Sequence, residues 1–185
     1  MKKLILASTS PRRKELMNLL NIPFEIQAKE VDESFEKGLS PEEVVQFLAA
    51  KKASIIAEAN PNAVVIGADT VVVYNQEIIG KPLSSHHAIE ILQKLSGKTH
   101  QVYTGIAILV SGHSEIFCEV TDVTFYDLSL DEIETYVETG EPLDKAGAYG
   151  IQGFGSTLVE RINGDYFSIV GLPVSRLNRK LKDFF

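Results

Sequence analysis

The stretch Ala63 to Val73 reads AVVIGADTVVV. β-Branched Val and Ile lie on either side of Gly67-Ala68-Asp69-Thr70. A short, bounded apolar run of this kind predicts a strand buried on both faces. A carboxylate inside it is costly unless something pairs with it or binds to it. Two readings of Asp69 therefore stand side by side. In one it caps a turn where the strand ends, with Gly67 supplying the loose backbone. In the other it belongs to an active site.

Upstream, Lys3 to Ala7 predicts a first strand, and Ser8-Thr9-Ser10-Pro11 turns it into a helix with Ser10 as N-cap. The first turn of that helix carries Arg12, Arg13 and Lys14. Cations oppose the positive end of a helix dipole, and a bound anion such as phosphate would relieve them. The competing reading is solvated surface charge, with Arg13 or Lys14 pairing to Glu15. Phe24 to Gln27 predicts a second strand. The acidic segment Lys29 to Ser34 then reads as a solvated loop or as one whose carboxylate reaches a metal ion. Ser40-Pro41-Glu42-Glu43 is a capping box, opening a helix that runs to about Ala59. Lys51 and Lys52 fall within or beside its apolar sector, Lys52 nearer the middle. A lysine there snorkels outward or meets an anion.

Downstream, Tyr74 to Glu77 predicts a turn and Ile78-Ile79 a short return strand, which would bring Lys81 back near the level of Asp69. Ser84 or Ser85 caps a helix through Leu95. Gly97-Lys98-Thr99 resembles the tail of a P-loop, but Leu92 occupies the position where its first glycine is needed. Gln101 to Val110 and Glu115 to Asp127 predict two long strands, and Ser129 opens a helix ending at Gly140. Lys145 to Gly155 holds four glycines in eleven positions, a loop whose backbone can approach a ligand closely. Thr157 to Ile162 and Tyr166 to Val170, around Asn163-Gly164, predict a hairpin. Val174 to Lys182 predicts a covering helix.

The 185 residues suit one core or two lobes, and the hydrophobic and charged fractions of 44% and 23% are ordinary for a globular chain. No apolar run approaches the roughly 20 residues of a membrane span. Pro11-Arg12-Arg13 follows the brief apolar start, so no export signal is read. The single cysteine, Cys118, excludes an internal disulfide, fits a reducing cytoplasm, and reads as a packing residue. A net charge of −7 argues against binding to a nucleic-acid polymer. Positive charge must then gather locally, or come from a metal. Ser8, Arg12, Arg13, Glu33, Lys52, Asp69, Lys81 and Gln152 are the unusual polar residues. Cations and acids together suit a metal–polyphosphate ligand.

The motifs LILASTSPRRKEL, VIGADTVVV, GKPLS, LSGKTHQVYTG, DKAGAYGIQG and GDYFSIVGLP resemble those of the Maf family of nucleotide pyrophosphatases, in order, from Leu4 to about Pro173. The resemblance implies a single Maf-like domain, residues 1–185. Its fold would be α/β: a mixed, largely antiparallel curved sheet with flanking helices, in two lobes about a deep cleft, similar to inosine-triphosphate pyrophosphatases. It implies hydrolysis of a nucleoside triphosphate to the monophosphate and pyrophosphate, dependent on a divalent cation, Mg2+ or Mn2+. Asp69 matches the family's proton acceptor, and Ser8, Arg13, Lys52 and Lys81 its phosphate-gripping positions. Glu33 matches a second acidic position, a metal ligand, and Asp69 either accepts the proton of the water or holds the metal that activates it. Arg12, Thr70 and Gln152 match the branch that prefers dTTP and UTP over 7-methyl-GTP. A nucleotide-binding regulator of septum formation without turnover, a 7-methyl-GTP pyrophosphatase and a nucleotidyltransferase are the rival readings. A homodimer is among the assemblies left open.

Overall fold

The computed structural model describes residues 2–185. In chain order the elements are β1 (Leu4–Leu6), α1 (Pro11–Asn18), β2 (Glu25–Ile26), α2 (Pro41–Ala59), β3 (Val64–Tyr74), β4 (Glu77–Ile79) and α3 (Ser85–Leu95). They continue with β5 (Thr99–Val110), β6 (His113–Phe125), α4 (Leu130–Glu138), β7 (Val159–Asn163), α5 (Tyr166–Val170) and α6 (Val174–Leu181). Short 3-10 turns cover Glu141–Asp144, Ala146–Ala148 and Gly153–Leu158. Among the described residues no helix is long and apolar enough to cross a membrane.

The strands form one seven-stranded mixed sheet in the order β2-β1-β3-β5-β6-β7, with β4 paired to β3. β1 runs parallel to both neighbours, with Leu4 opposite Val64 and Ile5 opposite Glu25. β3 and β4 are antiparallel, Val72 facing Ile79, as are β6 and β7, Asp122 facing Asn163. The predicted Tyr74 turn and return strand are thus present. β3 runs unbroken through Asp69, which excludes the reading of that residue as a turn cap at a strand end.

The chain divides into two compact units. The first comprises Met1–Thr70, Thr104–Glu119 and Gly171–Phe185. Its core sets Ile5, Val65 and Ala107 of the sheet against Ala49, Ala53 and Ile56 of α2. The capping box that opens α2 is complete: Glu43 N donates to Ser40 Oγ at 3.3 Å, and Ser40 N donates to Glu43 Oε2 at 2.8 Å. Two glycines then set how close α2 lies to the sheet. A Cβ on Gly67 of β3 would stand 2.1 Å from the Ala49 carbonyl oxygen, and one on Gly105 of β5 would stand 2.4 Å from that of Val45. Only glycine admits such contact with helix backbone.

The second unit comprises Val71–Tyr103 and Val120–Val170. Val72, Leu92, Leu95, Phe125, Tyr136, Tyr149 and Leu158 lie in its core. His100 is wholly buried there, edge-on to Phe125 and Tyr149, with Nε2 2.7 Å from the Tyr149 hydroxyl. Burial pushes its imidazole down to about 4.

Tyr166 to Val170 is helix α5, not the second strand of a hairpin. Asp165 explains the difference: its Oδ1 accepts the Ser168 amide at 2.6 Å, an N-cap bond that starts a helix immediately after Gly164. Thr121 Oγ1 accepts the Asp165 amide at 2.9 Å and fixes the cap in place. β7 finds its partner in β6 instead.

Candidate active site

Seven of the nine residues singled out in the sequence lie in the first unit: Ser8, Arg12, Arg13, Glu33, Lys52, Asp69 and Thr70. Their positions follow from local geometry. Gly67 and Asp69 are two apart on β3 and share a face. Ala49, Lys52 and Ala53 lie on the side of α2 that Gly67 admits. Close seating of the helix therefore carries Lys52 to Asp69. Lys52 Nζ donates to Asp69 Oδ1 at 2.6 Å and stands 2.7 Å from Glu33 Oε1. Of the two outcomes for a lysine in an apolar sector, Lys52 takes the second and meets anions.

The acidic segment is tied to the same helix. Lys51 Nζ donates to the Asp32 carbonyl while Lys52 holds Glu33. Asp32 accepts the amide of Ser34 at 2.9 Å, together with its hydroxyl, and these bonds hold its carboxyl below the usual range. Successive lysines thus pin successive residues of the loop. The Asp69 side chain is 11% exposed and that of Glu33 63%, so the pair spans from the interior to solvent.

Thr70 points to the opposite face from Asp69. Its Oγ1 accepts Arg13 Nη2 at 3.2 Å and lies 2.8 Å from Thr104 Oγ1. Arg13 is fixed at every nitrogen of its fork: Nε donates to the Gly171 carbonyl at 3.0 Å and Nη1 to Ser8 Oγ at 3.4 Å. Burial lowers the affinity of this guanidinium for its proton; the Asp69 charge opposes that shift, and the neighbouring Arg12 adds to it. An arginine remains protonated regardless. Arg13 is therefore no solvated surface charge, whereas Lys14 is exposed. Ser10 caps α1 as predicted, accepting the Arg13 amide at 3.4 Å.

Lys81 and Gln152 belong to the second unit. Lys81 is exposed, two residues past the end of β4. Gln152 is exposed just before the 3-10 turn Gly153–Leu158, and its side chain caps nothing. Cys118 is half-buried, and burial pushes its thiol up to about 12, as suits a packing residue.

Thr104 and Gly171 were not among the residues singled out, although each is a partner in the Thr70–Arg13 network. Both fall inside quoted motifs, LSGKTHQVYTG and GDYFSIVGLP. Neither carries a charge to draw notice, and Gly171 contributes only its carbonyl.

Among the described residues no group of three or more His, Cys, Asp or Glu gathers for a metal. Magnesium asks for less: one or two carboxylates, with water and substrate phosphates completing the shell. Asp69 and Glu33 are two such carboxylates. Both pair with the Lys52 ammonium, and their oxygens are the hard donors such an ion takes.

The family profile described as Maf-like protein matches residues 3–184. This chain belongs to the Maf-like family. A relative from Bacillus cereus (strain G9842), named dTTP/UTP pyrophosphatase, is 56% identical over 184 residues, spanning 100% of this chain and 96% of the relative. One from Bacillus anthracis (strain CDC 684 / NRRL 3495), with the same name, is 55% identical over the same shares. Among solved structures, a HAM1 protein from Coxiella burnetii matches with a TM-score of 0.56 at 13% identity, covering 99% of this chain and 100% of that one. The Staphylococcus aureus Ham1 protein gives 0.50 at 16%, covering 85% and 80%. These likenesses are ones of fold.

Proposed function

We propose that this Maf-like protein hydrolyses dTTP and UTP to the nucleoside monophosphate and pyrophosphate, acting on cytoplasmic nucleotide pools. The observation that carries the reading is the convergence of Asp69 and Glu33 on Lys52 Nζ at 2.6 and 2.7 Å. Acids and a cation held together in this way suit a triphosphate and its counterion better than an uncharged ligand. Relatives 55–56% identical along the whole chain, each named dTTP/UTP pyrophosphatase, support the choice of nucleotide.

In this mechanism water attacks the α-phosphorus in line. A new P–O bond forms, the α–β anhydride bond breaks, and pyrophosphate leaves. Asp69 accepts the proton of the water, while Lys52 holds its Oδ1. Lys52 and Arg13 offer positive charge to the phosphate oxygens, and Ser8 a hydroxyl. Lys81 serves the same end. Asp69 and Glu33 would hold a Mg2+ or Mn2+ ion, which when bound supplies further charge against the phosphate oxygens. Arg12, Thr70 and Gln152 set the base preference. Thr70 does so through Arg13, which its hydroxyl holds, and Gln152 offers both a donor and an acceptor to a pyrimidine edge.

The deciding experiment incubates pure protein with Mg2+ and dTTP, UTP, CTP or 7-methyl-GTP separately and resolves the products. Monophosphate plus pyrophosphate from dTTP and UTP, with no acceptor added, is the expected result. Turnover confined to 7-methyl-GTP would reject the base preference. Binding without products, or products only with an acceptor, would reject hydrolysis.

A further inference from the structure

The glycine-rich loop of the second unit is built around a single carboxylate. Glu141 follows Gly140, whose φ of 75° places it in the left-handed region just past the end of α4. Glu141 Oε1 accepts the Tyr136 hydroxyl at 2.9 Å and the Gly155 amide at 3.1 Å. Its Oε2 accepts the Phe154 amide at 3.0 Å. The Tyr136 oxygen in turn accepts the Gly150 amide at 3.2 Å. Three backbone amides are gripped, one two residues before Gln152 and two just after it.

The glycines explain why the grip is so close. A Cβ on Gly153 would stand 2.6 Å from Glu141 Oε2. One on Gly155 would stand 2.7 Å from the Tyr136 hydroxyl and 2.1 Å from the Gly150 carbonyl oxygen. Gly153 also takes a φ of 63°, which other residues rarely adopt. The base of the clamp is itself anchored: Lys145 Nζ donates to the Glu141 carbonyl at 2.6 Å and to Asp144 Oδ1 at 2.8 Å. Amide bonds to a carboxylate are charge-assisted and hold a loop more firmly than neutral ones. The exposed Gln152 is thus presented on a backbone fixed from both sides.

We propose that Glu141, with Tyr136, is a positioning residue for base selection: the pair holds loop Gly150–Gly155 in the shape that lets Gln152 read the base. This rests on the base-reading role of Gln152 given above. Glu141 itself touches no substrate.

The test compares kcat/KM for dTTP and CTP in the wild type, Glu141→Gln, Tyr136→Phe, Gln152→Ala and the double variant Glu141→Gln/Gln152→Ala. Glu141→Gln keeps the shape of the side chain but turns an NH2 group toward an amide it now holds. The dTTP-to-CTP ratio should fall roughly tenfold, the scale of one lost charge-assisted hydrogen bond, while kcat at saturating dTTP changes less. Tyr136→Phe, which releases the Gly150 amide and one donor to Glu141 but leaves the Phe154 and Gly155 amides held, should lower the ratio less. The double variant should match Gln152→Ala alone, since one residue acts through the other. A ratio unchanged in folded Glu141→Gln and Tyr136→Phe overturns the positioning role while leaving Gln152 its part. Additive losses in the double variant do the same. A wild-type ratio in Gln152→Ala, or a wild type that turns over neither nucleotide, rejects the base-reading role first and the positioning role with it.

Discussion

Lys52 Nζ stands 2.6 Å from Asp69 Oδ1, joining α2 to the middle of β3. Asp69→Asn keeps the shape and removes the charge. The variant should fold, since Lys52 keeps Glu33 as a partner. Pyrophosphate release from dTTP should fall roughly 10²- to 10⁴-fold, the usual worth of a positioned proton acceptor. Near-normal release from a protein with an unchanged melting profile would remove Asp69 from the chemistry.

Arg13 is held by three partners in a planar fork. A lysine cannot reproduce that geometry. Arg13→Lys should raise KM for dTTP and UTP alike, by roughly ten- to a hundredfold, on the scale of one or two lost charged hydrogen bonds. Steady-state kinetics on both nucleotides checks this. An unchanged KM would show that the arginine serves only to tie α1 to Gly171.

A chelator should stop turnover, and added Mg2+ or Mn2+ should restore it. Glu33→Gln should raise the Mg2+ concentration needed for half-maximal rate. Full activity in excess chelator would refute the assignment of Asp69 and Glu33 to a cation.

Gly67→Ala tests the seat of α2. The added Cβ would meet the Ala49 carbonyl, a backbone atom that cannot swing aside. Overpacking of this kind costs about 1–3 kcal/mol, so thermal unfolding should move down by several degrees. Turnover should also drop at temperatures where the variant is folded, because Lys52 rides on the displaced helix. A variant as stable and as active as the parent would mean that α2 adjusts freely.

His100 predicts an acid-side loss of stability. Its folded pKa of about 4 lies below the ordinary 6.5. Between these values the unfolded chain binds more protons, so the contribution is complete above about pH 6.5 and is lost as pH falls toward 4. The full difference is about 3 kcal/mol. Denaturant melts of the wild type and His100→Gln across this window should show the wild type losing stability more steeply as pH falls. Parallel curves would sink the prediction.

The parts of this architecture that were legible in the sequence are those written locally. Ser10-Pro11 and Ser40-Pro41-Glu42-Glu43 announce their helices because capping is decided within four residues. Asp69 stands out because a carboxylate in an apolar strand demands a partner, and Lys52 because a lysine in a helix's apolar sector must either snorkel or meet an anion; the structure settles the second. The partners of Arg13 were not legible. The Gly171 carbonyl is 158 positions away, and a backbone oxygen leaves no mark in residue type. Gly67 reads as loose backbone but acts, like Gly105, as clearance, which only the approach of α2 reveals. At Tyr166 to Val170 the residues favour a strand, and the Asn-Gly pair before them favours a hairpin. A single cap from Asp165 outweighs both.

β3 runs unbroken past Asp69, between its ladder with β1, which ends at Ile66, and its ladder with β4, which begins at Val72. Groups carried on surface loops can be lost through local opening well below the melting temperature. The carboxylate of Asp69 is carried on an eleven-residue strand instead, so displacing it means moving β3. Amide hydrogens of β3 should exchange more slowly than those of the surface loops. On heating, its geometry should hold until the whole fold gives way, so that inactivation and melting arrive together.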